Sequence, residues 1–94
     1  MRVYRVKGEV LVAVCDSDIV GRTFREGELK LEVKESFYGE EEVGEEEVKR
    51  ALRNATIANI TGSKAVSLAV RIGIIDKNRI LYIEGCPHAQ MVVI

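Results

Sequence analysis

The sequence predicts an α+β domain, with two principal helices packed on one mainly antiparallel sheet that has hairpins near both ends of the chain. Three observations lead there. Strand-like apolar runs with short connections lie near both termini, two segments in between repeat their apolar residues at helical spacing, and the strand segments do not alternate regularly with the helices. The 94 residues are 47% apolar and 31% charged, with one proline and a formal net charge of −1, which suits a single domain spanning 1–94. Disorder is excluded because enough Val, Ile and Leu are present to offset chain entropy. The longest apolar run, Val10 to Cys15, is far too short to cross a bilayer by a helix, which needs about 20 residues. No charged start followed by an apolar stretch and cleavage site is present, so the expected compartment is the cytoplasm.

Val3, Tyr4 and Val6, set among Arg2, Arg5 and Lys7, lead through Gly8 and Glu9 into the run Val10 to Cys15. This is a hairpin. Its second strand is apolar at every position, so both faces should be covered and the strand should sit inside the sheet. Asp16, Ser17 and Asp18 offer N-cap chemistry to a short helix through Ile19 and Val20, ending near Gly21. Leu29, Leu31 and Val33 alternate with Lys30, Glu32 and Lys34, the period of a strand wet on one face.

Glu45, Glu46 and Glu47 open a helix, where negative charge favours the macrodipole, and Lys49, Arg50 and Arg53 lie toward its other end. Val48, Ala51, Leu52 and Ala55 form its buried stripe, with Glu45–Lys49 and Glu46–Arg50 as expected i,i+4 pairs. A further helix, capped by Thr61 or Ser63, carries Ala65, Leu68, Ala69 and Ile72 before Gly73 ends it. Asp76, Lys77 and Asn78 make a turn. Strands then follow at Arg79–Glu84 and at Met91–Ile94, with the segment from Gly85 to Gln90 as the turn between them.

Glu, Lys and Arg are plentiful while Gln occurs once, Asn three times and Met twice, a bias shared with thermophilic proteins. Cys15 and Cys86 are expected as two reduced, largely buried thiols, with a single bridge left open because spacing cannot establish proximity. With His88 they supply only three soft ligands, one short of a closed tetrahedral site, so neither metal nor cofactor is expected.

Several segments carry chemistry as well as structure. His88, the only histidine, follows Cys86 by two residues, so an enzyme using His88 with Cys86 or a carboxylate such as Asp16 on a phosphorylated or nucleotide-like ligand is one reading. The same residues also make an ordinary turn in which the thiol packs and the imidazole bonds a backbone group. Asn59 to Lys64, with Gly62, two hydroxyls and Lys64, resembles the end of a phosphate-binding loop, but the spacing is not that of a Walker motif. Arg22, Phe24 and Arg25 combine cations and a ring in a loop between Gly21 and Gly27, a pattern suited to phosphate contact and base stacking, or to a surface loop anchored by Phe24. Phe37 and Tyr38 either seal the core edge or form a partner-binding patch.

Charge is uneven along the chain. Residues 1–34 carry seven bases and six acids, 35–50 two and seven, and 51–94 five and two. The basic C-terminal part can contact RNA phosphates while the acidic helix start points away, although dipole matching alone produces much of the pattern.

Taken in order, the segments 21–29, Phe37-Tyr38-Gly39, 58–62 and Pro87-His88-Ala89-Gln90 resemble a family of short archaeal proteins, domain of unknown function 424, along nearly the whole chain. The resemblance implies an archaeal cytoplasmic protein and places Arg22, Phe24, Arg25, Asn59, His88 and Gln90 at the family's motif positions. It brings no activity with it. The expectation is a non-enzymatic module binding RNA or a ribonucleoprotein through Arg22, Phe24, Arg25, Asn59, Lys64, His88 and Gln90. The small enzyme and a protein-interaction subunit are the alternatives.

Overall fold

The computed structural model describes residues 1–93. Strands β1 (Arg2–Val6) and β2 (Glu9–Cys15) form the expected hairpin, joined through Lys7 and Gly8, both at positive φ. A 3-10 turn at Ser17–Ile19 stands where a short helix was expected. Strands β3 (Thr23–Glu26) and β4 (Leu29–Glu32) pair as a second hairpin, so the segment read as a loop around Phe24 is extended. Helices α1 (Glu35–Tyr38) and α2 (Glu45–Asn54) follow, then β5 (Ile57–Thr61) and α3 (Ser63–Arg71). The chain ends with β6 (Leu81–Ile83) and β7 (Cys86–Val92).

The principal sheet has the order β1-β2-β5-β7-β6. Its pairings are antiparallel except β2 with β5, whose crossover runs through the β3–β4 hairpin and two helices. Sequence reading places no strand between the two principal helices. Ile57 to Thr61 lack polar alternation because both faces of β5 are covered for much of its length, and periodicity is then silent.

The last strand also begins earlier than expected. The turn shrinks to Glu84 and Gly85, at φ 52° and 79°, the positive angles that a two-residue hairpin turn requires. Pro87 therefore lies inside β7 opposite Tyr82. Because Ile83 and Cys86 close the turn, Pro87 falls at the next, non-hydrogen-bonded pair and β6 loses no donor there. Ile94, the end of the expected terminal strand, lies outside the described residues.

Helices α2 and α3 cover one face of the sheet. Val12, Val14, Ala58, Ile60 and Ala89 from the strands meet Val48, Leu52, Leu68 and Ala69 from the helices, and Leu52 and Ile60 are fully buried. The β3–β4 hairpin and α1 cover only part of the other face. There Phe24, Val33 and Tyr38 pack with Ala13, Ile83 and Cys86. Glu45 pairs with Arg71 of α3 instead of Lys49, and Lys49 pairs with Glu46 at 3.2 Å, so the expected i,i+4 pairs are replaced by contacts of similarly small worth.

Neither expected cap on α3 is used. Its N-cap is Gly62, which makes no side-chain bond, and the donors at the helix start are met from a distant part of the chain: Lys64 N and Ala65 N donate to the two carboxylate oxygens of Asp16 at 3.0 and 2.8 Å. Asp16, expected to cap its own short turn, makes no such local bond.

Candidate functional site

Strand register dictates which side chains share the helix-free face. Tyr4, Leu11, Ile57 and Val92 are successive partners across four strands and form one apolar row. The next row holds Ala13, Asn59 and Gln90, and the one after it Cys15, Thr61, His88 and Leu81. Toward Ile83 and Cys86 the face is closed by the hairpin and α1. Toward Asn59 and Gln90 it opens, with Val6 and Val92 each 62% exposed.

Five polar side chains cross this boundary in a continuous chain. Tyr38 Oη lies 2.9 Å from Thr61 Oγ1, and Thr61 Oγ1 lies 2.8 Å from His88 Nδ1. His88 Nε2 is 3.4 Å from Gln90 Nε2, which lies 2.9 Å from Asn59 Oδ1. Tyr38 and Thr61 are buried, His88 and Asn59 half-buried, and Gln90 exposed. The chain therefore starts in the core and ends in solvent. Beside it Tyr4 stacks on Phe37 with centroids 5.7 Å apart, and Tyr4 Oη donates to Phe37 O at 2.7 Å.

Burial sets the protonation of this chain. It pushes the Tyr38 phenol up, so Tyr38 keeps its proton, and it pushes His88 down from its ordinary 6.5, so the ring is neutral at pH 7. A lowered native pKa means that the unfolded chain takes up the proton first on acidification. Stability conferred by neutral His88 is therefore complete above about pH 6.5 and is lost as pH falls toward the native value. Since His88 is the only histidine, Tm should fall between pH 7 and 5.5, and His88→Gln should flatten that slope. Equal slopes for the two proteins would show that His88 ionisation is not coupled to folding.

Cys86 does not join the chain. Its thiol contacts Pro87 O at 3.8 Å and is pushed above its usual pKa by burial, the reverse of what a nucleophile needs. Cys15 is likewise pushed up to about 11 by burial. Both cysteines are free, on β2 and β7 with β5 between them, and two strand spacings alone separate them by roughly 9.5 Å, to which the two-residue offset of Cys86 from the row of Cys15 adds. The bridge left open by the sequence exceeds the reach of about 7 Å for a disulfide.

The residues singled out by sequence fall in three places. Asn59, His88 and Gln90 come together in the open part of the face. Arg22, Phe24 and Arg25 lie in and beside the hairpin that packs against β6, where Phe24 is buried beneath the Arg22 guanidinium, 4.9 Å from its ring centroid. Arg25 N donates to Glu84 and Glu84 N donates to Glu26, which ties that hairpin to the β6–β7 turn. Lys64 is elsewhere, on a cleft of about 870 Å³ that is also lined by Asp16, Asp18, Glu35, Glu40, Glu41, Glu42 and Glu45. Two helix-start donors that an anion would use are already bonded to Asp16. Tyr38 and Thr61 are the participants that spacing did not connect, because only the pairing of β5 with β7 and the return of α1 over the sheet bring them to His88.

Among the described residues no group of three or more His, Cys, Asp or Glu side chains is placed to hold a metal, and no helix is long and apolar enough to cross a membrane. Fold and face together define a small α+β domain with helices on one side of its sheet and a partly open, hydrogen-bonding surface on the other. The chain belongs to the family described as "protein of unknown function (DUF424)", which matches residues 4–94. It is similar to the crystal structure of an uncharacterized conserved protein from Methanopyrus kandleri, with a TM-score of 0.78 and 23% identity, covering 96% of this chain and 86% of that one. At that identity the likeness shows the fold. No curated protein matches the chain.

Proposed function

We propose that the protein is an archaeal, cytoplasmic, non-enzymatic module that binds single-stranded RNA, free or within a ribonucleoprotein, on the open part of its sheet. The carrying observation is the hydrogen-bonded cluster of Asn59, His88 and Gln90 on the part of the helix-free face that the hairpin and α1 leave uncovered. Unpaired bases are recognised by hydrogen bonds to their edges and by stacking on rings. The Asn59–Gln90 amides supply the first and the neighbouring Tyr4–Phe37 pair the second.

Charge disfavours the cleft. Seven acids and two bases line the cleft, so the rest of the chain holds twelve bases against eight acids. Phosphate is repelled from the cleft and drawn elsewhere, with exposed Arg22 and Arg25 as backbone contacts. Phe24 supports Arg22 from beneath and does not stack on a base. The enzyme reading loses ground because the Cys86 thiol is buried and bonded away from His88.

Fluorescence anisotropy with unstructured RNA oligonucleotides tests the proposal. Joint Asn59→Ala and Gln90→Ala should weaken binding about tenfold, since an amide pair bonded to a base edge contributes roughly 1–3 kcal/mol. Joint Arg22→Ala and Arg25→Ala should lower the salt slope of log K by up to about 1.4, or roughly 0.7 per lost phosphate contact on a single strand. No binding at low salt, or unchanged affinity in the amide double variant, overturns the reading.

A further inference from the structure

We infer that Thr61, backed by Tyr38, is a positioning residue: its buried hydroxyl fixes His88 with hydrogen on Nε2 and thereby sets which amide atoms of Gln90 and Asn59 face solvent. The inference concerns the ligand-free protein and does not rest on RNA being the ligand.

Heavy-atom separations along the chain allow two directions of donation. In one, His88 Nδ1–H donates to Thr61 Oγ1 and Thr61 donates to Tyr38 Oη. The Tyr38 proton then has no acceptor among the described residues, although the side chain is only 3% exposed. If Tyr38 donates to Thr61 while Nδ1–H does too, the Thr61 proton is stranded instead, in a residue of 0% exposure. Any arrangement with hydrogen on Nδ1 strands one buried hydroxyl proton.

The other direction strands none. Tyr38 donates to Thr61, and Thr61 donates to a bare Nδ1, which leaves the single ring proton of neutral His88 on Nε2. A buried donor without an acceptor is costly enough to favour this direction by roughly tenfold or more. Burial that keeps Tyr38 protonated and His88 neutral acts the same way.

The consequence reaches the surface. With hydrogen on Nε2, the Gln90 amide atom facing His88 at 3.4 Å must be the oxygen, because two donors would oppose each other. Asn59 must then turn its NH₂ toward that oxygen to keep the 2.9 Å contact between the amides. Terminal amide oxygen and nitrogen occupy equivalent positions, so both side chains keep their places. What remains outward is a Gln90 N–H donor beside an Asn59 carbonyl acceptor. A ligand on this face needs an acceptor and a donor in the complementary order.

Long-range ¹H–¹⁵N correlation NMR of the free protein tests this directly. Wild type should show a protonated Nε2 and a bare Nδ1, and the Asn59 side-chain NH₂ should exchange with solvent more slowly than that of Gln90. Hydrogen on Nδ1, or the reverse order of exchange, overturns the inference without bearing on RNA binding. Thr61→Val should release the ring into a mixture of tautomers, whereas Thr61→Ser should keep Nε2–H. Tyr38→Phe should also keep it, because the Thr61 proton still has only Nδ1 as acceptor. A Thr61→Val protein that stays fully Nε2–H would show that Thr61 does not set the ring. If that variant fails to fold, Thr61→Ser and the order of amide exchange in wild type still test the inference, since hydrogen on Nδ1 in either protein overturns it.

Discussion

Gly62→Ala is expected to cost about 3 kcal/mol or more and to lower Tm by roughly 12–24 °C for a domain of this size. Two independent causes meet at Gly62. Its backbone, at φ 106° and ψ 155°, lies in a region that L-residues avoid, with a strain of order 1–3 kcal/mol. A Cβ there would also stand 2.4 Å from Asp16 Cγ and within 2.8 Å of both carboxylate oxygens. Asp16 would have to give up Lys64 N and Ala65 N, and losing a cap costs a further ~1 kcal/mol or so. Thermal denaturation checks the total. Measuring Asp16→Ala in both backgrounds separates the causes, because the carboxylate should matter less once the added methyl group of Gly62→Ala has displaced it. A Gly62→Ala protein within about 1 kcal/mol of wild type would show that the loop relaxes freely and that the close approach is not built in.

The same contact shows why parts of the fold were legible and others were not. Helices α2 and α3 announce themselves through local periodicity, because each has one face toward a core, and the β1–β2 hairpin through two apolar runs separated by a short turn. Strand β5 does not. Ala58 and Ile60 face the helices while Ile57, Asn59 and Thr61 face the other way into partly covered surroundings, so alternation is lost. The cap on α3 escaped for a different reason: Asp16 is 48 residues from Lys64, and no local rule predicts a carboxylate arriving from the end of the neighbouring strand β2. In the site, the family-like segments contained Asn59, His88 and Gln90, yet the convergence of these residues depends on the pairings Thr61–His88 and Asn59–Gln90. Lys64, drawn to the same site by its place at a helix start, belongs to the acidic cleft instead.

Thr61→Val should destabilise the protein by about 2–4 kcal/mol although the two side chains have nearly the same shape, because a buried group left without its partner costs about 1–3 kcal/mol and this substitution leaves two. Tyr38 loses the acceptor for its proton, and His88 Nδ1 loses its donor, while no other partner for either atom lies among the described residues. Tyr38→Phe is the informative contrast. It removes one end of the chain, and Thr61 can still bond His88, so the expected cost is about 1 kcal/mol, that of a single hydrogen bond. Urea denaturation of both variants and of the double variant measures the coupling. In the Tyr38→Phe background Thr61→Val should cost less than in wild type, because no phenol is left to strand. If Thr61→Val cost no more than Tyr38→Phe, the three groups would not act as one connected chain. His88 would then lose the buried hydroxyl that orients its ring toward the exposed amides, and the open face would lose its link to the core.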